Sequence, residues 1–256
     1  MSAASAALSA GGLTEHGWAR RILADRDAAA RLIPDALSSL HHAVVSRARE
    51  AGASSLILSG STARGFRTEI SDLDYHLVGD KIFTRDLSME LDLHVLSPEG
   101  LRAEVLEGDD FVQWSIRFGL LLFDDGAVLE AARTIVEERP WPDVERKVEH
   151  AGKSLDLARR VVEAGDADGA QIQVRTALSL ATRAYLLSVG VFPLSRAELP
   201  KQLLTAGQSE SAAALEACIH GEPSLEALAK IVSDGSALLD RFGEPFSSRQ
   251  YSRRIS

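Results

Sequence analysis

Gly60-Ser61-Thr62-Ala63-Arg64-Gly65, followed by Ser71-Asp72-Leu73-Asp74-Tyr75-His76-Leu77-Val78, is the stretch on which the reading of this 256-residue chain turns. Just before it, Ser54-Ser55-Leu56-Ile57-Leu58-Ser59 is a short apolar run whose length and flanks favour a buried strand over a helix. Ser61 to Gly65 then reads as one glycine-bounded helical turn leaving that strand. Asp72 to Val78 alternates polar and apolar residues, as does Glu90-Leu91-Asp92-Leu93-His94-Val95-Leu96, and both predict strands with one buried face. The segment between them, Gly79 to Ser88, is short for a crossover helix, so the expected pairing is antiparallel.

Outward from this centre the pattern is helical. Thr14 to about Gly52 carries two helical stretches broken near Pro34, with Ala36, Leu37, Leu40, Val44 and Val45 spaced as a buried stripe. Ser97-Pro98 predicts an N-cap with proline in the first turn of a helix reaching about Glu107. A helix over Asp110–Phe118, a strand at Leu120–Phe123, a turn at Asp124-Asp125-Gly126 and a helix over Ala127–Glu138 follow. Arg139-Pro140-Trp141-Pro142 marks a domain boundary, since two prolines stop helix propagation and set an extended link. Beyond it helices are expected at about Asp143–Ala164, Ala167–Val189, Ser195–Ala206, Ser211–Ile219 and Ser224–Phe242, with a capping box at Ser195-Arg196-Ala197-Glu198. The fold class is therefore α+β: a leader over 1–12, a small mixed-sheet domain over 13–139 and an all-α helical bundle over 140–256.

Composition narrows the function. With 28 basic and 37 acidic residues the net charge is −9, which argues against a duplex-DNA binder working through a broad basic face. A single cysteine, Cys218, excludes an internal disulfide and thiolate metal clusters and fits a reducing compartment. No run approaches the roughly 18 apolar residues of a membrane helix. The start MSAASAALSAGG lacks a basic signal region, so a cytoplasmic location without membrane association is expected.

The chemistry concentrates at the opening stretch. A Gly-Ser pair leaving a strand offers free amides and a hydroxyl to phosphate oxygens at a positive helix end. Asp72 and Asp74, two apart on a strand, share a face, and strand alternation lets Asp92 of the neighbouring strand join them. Three carboxylates on one face repel unless a cation sits among them, and Mg²⁺ takes oxygen ligands while binding substrate phosphates. The bland reading, solvated strand aspartates beside an ordinary turn, is disfavoured because strands deplete Asp. His76 and His94 continue the same face, either packed on each other, touching the acceptor or adjusting a carboxylate's pKa.

Gly-Ser, ten residues, Asp-x-Asp and a third Asp in an apolar strand resemble the signature of the nucleotidyltransferase superfamily with the DNA polymerase beta palm. Within it the chain is most similar to the kanamycin nucleotidyltransferase type. Leu120-Leu-Leu-Phe-Asp-Asp-Gly-Ala-Val-Leu-Glu130 and Val144-Glu145-Arg146-Lys147-Val148-Glu149-His150-Ala151-Gly152-Lys153 carry that resemblance into the second half. It implies that Gly60 and Ser61 hold the triphosphate of ATP or another NTP, that Asp72, Asp74 and Asp92 bind Mg²⁺, that Glu149 is the general base for an acceptor hydroxyl and that Lys153 contacts phosphate. Glu149 and Lys153, four apart on an expected helix, face the same way, as they also would in a plain surface ion pair. Arg64 is either a nucleotide contact or a solvated arginine. The implied reaction moves AMP, or another nucleoside monophosphate, to a hydroxyl of a small molecule such as an aminoglycoside-like antibiotic, releasing pyrophosphate, and the implied assembly is a homodimer. The rival readings are an antitoxin-type enzyme that modifies a protein and a catalytically silent nucleotide-binding module. Few acidic clusters mark the helical half as a polycation site, and it holds no Arg with a nearby downstream His of the HEPN ribonuclease type.

Overall fold

In the computed structural model residues 31–67, 71–80 and 91–240 are described. The expected leader, most of the first helical stretch, the link over 81–90 and the basic tail Arg249–Ser256 lie outside them. The chain divides into two compact units, Met1–Pro142 and Asp143–Ser256. Together they are α+β: a four-stranded mixed sheet with helices, then helices alone.

The first unit begins with helix α1 (Asp35–Glu50), which opens after Pro34, carries Asp35 in its first turn and has Arg47 and Arg49 in its last, each charge matched to the helix dipole. Its buried stripe is Leu37, Leu40, Val44 and Ala48. Ala36, expected in that stripe, is exposed, and Ala48 extends it one turn further on. Strand β1 (Ser55–Leu58), helix α2 (Gly60–Arg64), strand β2 (Leu73–Val78) and strand β3 (Leu91–Leu96) follow. Next come α3 (Pro98–Leu106), α4 (Asp110–Phe118), strand β4 (Leu120–Asp124) and α5 (Ala127–Glu138). Ser97 caps α3 by accepting from the Gly100 amide at 3.0 Å, and Asp109 caps α4 by accepting from the Phe111 and Val112 amides.

The strand order is β3-β2-β1-β4, so four-residue β1 is central and buried throughout. One sheet face packs Leu56, Leu58, Leu73, Tyr75 and Leu77 against α1. Fully burying such a side chain stabilises by roughly 1.5–3 kcal/mol, and the Tyr75 hydroxyl is satisfied by a 2.8 Å hydrogen bond with His41 Nδ1. The other face packs Ile57 and Val78 against Leu101, Val105, Val112 and Ile116 of α3 and α4.

The pairing of β2 with β3 corrects the antiparallel expectation. The two strands run parallel, with Leu73 opposite Leu91, Asp74 opposite Asp92 and His76 opposite His94. A parallel partner needs a connection of about a dozen residues, and it need not be a helix. Gly79 to Glu90 supplies twelve residues, enough to carry the chain back along a six-residue strand.

The second unit is α6 (Val144–Glu163), α7 (Ala167–Ser188), a 3₁₀ turn (Arg196–Glu198), α8 (Leu199–Thr205), α9 (Ser209–His220) and α10 (Leu225–Asp240). The capping box forms as expected: the Glu198 carboxylate accepts from the Ser195 amide at 3.3 Å and the Ser195 hydroxyl at 2.7 Å. Small residues set the packing distance. Ala151 and Ala158 on α6 meet Ala170, Val174, Ala177 and Ala181 on α7 in one core. At Gly235 of α10 a Cβ would stand 2.9 Å from Leu155 Cδ2, so a larger residue there would make the Leu155 side chain of α6 give way. Among the described residues no helix is long and apolar enough to cross a membrane.

Candidate functional site

The site in the first unit is built by β1 delivering the chain into a tight turn and β2 returning beside it. The Ser59 amide donates to the Asp74 carbonyl at 2.8 Å, which ties the turn to β2. Gly60 has φ +66, a left-handed conformation that favours glycine. A Cβ at Gly60 would also overlap the Asp74 carboxylate, so the side chain of Asp74 lies directly on the glycine backbone. Ser61 sits half-buried in α2, and the Ser59 and Thr62 hydroxyl oxygens are buried with no hydrogen-bond partner.

Asp72 and Asp92 are exposed while Asp74 between them is half-buried. Asp92 is the register partner of Asp74 on the parallel strand, so both project from one sheet face. Asp72 stands one residue before β2 and not within it, correcting the expected strand start. The Asp74 carboxyl is pushed up to about 7, first by burial, then by the charges of Asp72 and Asp92, with Arg67 acting in the opposite direction. Three acidic groups therefore share one electrostatic environment.

That donor set suits a hard divalent cation: all-oxygen ligands, excess negative charge, and one carboxyl held partly neutral by burial and then by its neighbours until a cation arrives. The side chains are not drawn together as a finished ligand sphere. Among the described residues no three His, Cys, Asp or Glu groups converge in that way.

Arg64 is not a solvated arginine. It is buried, and its guanidinium lies 5.0 Å above the Phe118 ring centroid, a cation–π arrangement on α4. His76 and His94 pack on each other with ring centroids 4.8 Å apart. Phe111 covers them both, 4.6 Å from His76 and edge-on 5.5 Å from His94. Burial, then the His94 charge, lowers the His76 pKa to about 3, so that imidazole is neutral. Its Nε2 is buried without a hydrogen-bond partner. His94 Nε2 stands 3.9 Å from Glu104 Oε2, beyond hydrogen-bond reach.

Glu149 and Lys153 belong to the second unit. On α6 they form an exposed i,i+4 pair, Lys153 Nζ donating to Glu149 Oε1 at 2.5 Å. The Lys153 hydrogen bond, followed by its charge, holds the Glu149 carboxyl below its usual range, so it is ionised at neutral pH.

Sequence reasoning missed Arg67. Its guanidinium Nη1 donates to the Asp72 carbonyl at 3.0 Å. The available signal was its position as the sole basic residue between Gly65 and Asp72. It also missed Phe111 as the cover of the histidine pair, a contact with no local signature.

No protein family matches the sequence, and no curated protein matches it. Among solved structures the chain is similar to a nucleotidyltransferase-like protein from Exiguobacterium sibiricum, at 16% identity and a TM-score of 0.40, covering 80% of this chain and 73% of that one. A likeness of that order assigns no residue a role, and the site stands on its own geometry.

Proposed function

We propose that the protein is a nucleotidyltransferase that moves AMP, or another nucleoside monophosphate, from a triphosphate to a hydroxyl of a small molecule. The observation that carries this reading is Asp74: a half-buried carboxyl, pressed on Gly60 of the Gly-Ser turn, flanked by Asp72 and Asp92, with its pKa raised to about 7. Carboxylates so placed gain from a divalent cation, and glycine at position 60 leaves the room that the Asp74 carboxylate takes beside the turn. Asp72, Asp74 and Asp92 are the residues that would hold Mg²⁺. Bound metal would supply charge neutralisation at the phosphates.

The chain's own residues do the rest. The Gly60-Ser61 turn orients the triphosphate. The acceptor oxygen bonds to the α-phosphorus, the bond from that phosphorus to the bridging oxygen breaks, and pyrophosphate leaves with the electron pair. By the resemblance, Glu149 is the group that takes the hydroxyl proton and Lys153, whose hydrogen bond keeps that carboxylate ionised, is a phosphate contact. Arg64 holds the end of the turn through Phe118. An aminoglycoside-like acceptor and a homodimer belong to the same reading by resemblance.

The test is incubation with Mg·ATP and a panel of aminoglycosides, lincosamides and nucleosides, read by product mass. A product heavier by one AMP, absent with Asp74→Ala, is expected. AMP found only on a co-purified protein would replace the small-molecule acceptor with a protein. Nucleotide binding without transfer to any acceptor would leave a silent module.

A further inference from the structure

We propose that Arg67 is a positioning residue of the carboxylate site, fixing the main chain of Asp72 so that its side chain stands beside Asp74 before any metal binds. The inference rests on the nucleotidyltransferase reading for what the site holds, and on geometry for how it is held. Asp72 lies outside the sheet ladder, since the first β2–β3 pair is Leu73 opposite Leu91. Its carbonyl accepts from Arg67 Nη1 at 3.0 Å, a charge-assisted hydrogen bond spanning five positions of the chain. Arg67 is half-buried and follows α2 directly after Gly65 and Phe66, so it ties the end of the Gly-Ser turn to the entry of β2.

The bond goes to the main-chain oxygen, which leaves the Asp72 carboxylate its own oxygens for a metal. The Arg67 charge also opposes the crowding of Asp72 and Asp92 around Asp74. Two roles thus predict opposite signs. A bystander cation beside a cation site repels the metal, so its removal tightens binding. A positioning residue holds a ligand in place, so its removal loosens binding, as loss of outer-shell partners of metal ligands does.

The experiment is Mn²⁺ titration of the whole protein without nucleotide, followed by electron paramagnetic resonance, for wild type, Arg67→Ala, Arg67→Met and Arg67→Lys. Arg67→Ala and Arg67→Met should bind Mn²⁺ about tenfold more weakly, with Arg67→Lys near wild type because lysine keeps both donor and charge. Urea midpoints of the three variants identify any that fails to fold, and Arg67→Met, which keeps the stem packing, then carries the comparison. Unchanged or tighter Mn²⁺ binding in folded Arg67→Ala or Arg67→Met overturns the proposal. Wild type that binds no Mn²⁺, or binds it equally with Asp74→Asn, overturns the metal-site reading itself and the positioning role with it.

Discussion

Replacing Asp74 by Asn should stabilise the metal-free protein, by an amount that grows with pH. The Asp74 carboxyl has its pKa raised from 3.8 to about 7 by burial and by Asp72 and Asp92. The folded chain therefore keeps this proton through a range in which the unfolded chain has lost it. The contribution of this group to stability falls as pH rises from the unfolded value to the folded one and is gone above it. A difference of about 3 units at about 1.4 kcal/mol each is worth about 4 kcal/mol. Asn has nearly the same shape and cannot ionise. The variant should match wild type near about pH 4 and exceed it by about 4 kcal/mol at about pH 8. His76 titrates with the opposite slope, because the fold holds it neutral while the unfolded chain protonates it. That contribution is common to both proteins and cancels in their difference. Urea denaturation in a chelating buffer, at three pH values across this window, measures the difference through the midpoint at constant slope. Mg²⁺ added at the alkaline end should restore wild type and leave the variant unmoved. A difference independent of pH would refute the account of a carboxyl whose pKa is raised by burial and by its neighbours.

Gly60→Ala should lose roughly 1–2 kcal/mol to the left-handed backbone alone and displace the Asp74 carboxylate, so Mn²⁺ binding should fail; intact Mn²⁺ affinity would contradict the close approach. His76→Leu removes a buried unpartnered nitrogen and should leave stability equal or higher by about 1–2 kcal/mol, while flattening the acid loss below about pH 6.5; a less stable variant in urea would mean that His76 makes a hydrogen bond in the fold. Glu149→Gln, at an exposed position, should leave the urea midpoint nearly unchanged and lower turnover about 10²-fold or more with nucleotide affinity unchanged. Equal loss of affinity and turnover would make Glu149 a binding residue.

Much of the architecture is legible in local pattern. Ser97, Asp109 and the Ser195–Glu198 box announce helix starts because a cap needs only residues a few positions apart. Strand direction is different. Leu73–Val78 and Leu91–Leu96 alternate identically whether paired parallel or antiparallel, and either pairing places Asp74 and Asp92 on a shared face. Connection length was the remaining signal, and twelve residues fall where both topologies are open. Arg64 shows a second limit. Its partner Phe118 is more than fifty positions away, so nothing in the Gly-Ser turn distinguishes a ring-stacked arginine from a solvated one. Asp74 was legible as a site residue from its type and spacing, but its contact with Gly60 required the turn to be folded back against β2.

The most direct test of nucleotidyl transfer follows two labels in ATP, one on the α-phosphorus and one on the γ-phosphorus, in the presence of Mg²⁺ and the acceptor panel. The account predicts that the α label passes to the acceptor while the γ label leaves in pyrophosphate, and that Asp74→Ala moves neither. Transfer of the γ label to the acceptor, or equal turnover in Asp74→Ala, would contradict it.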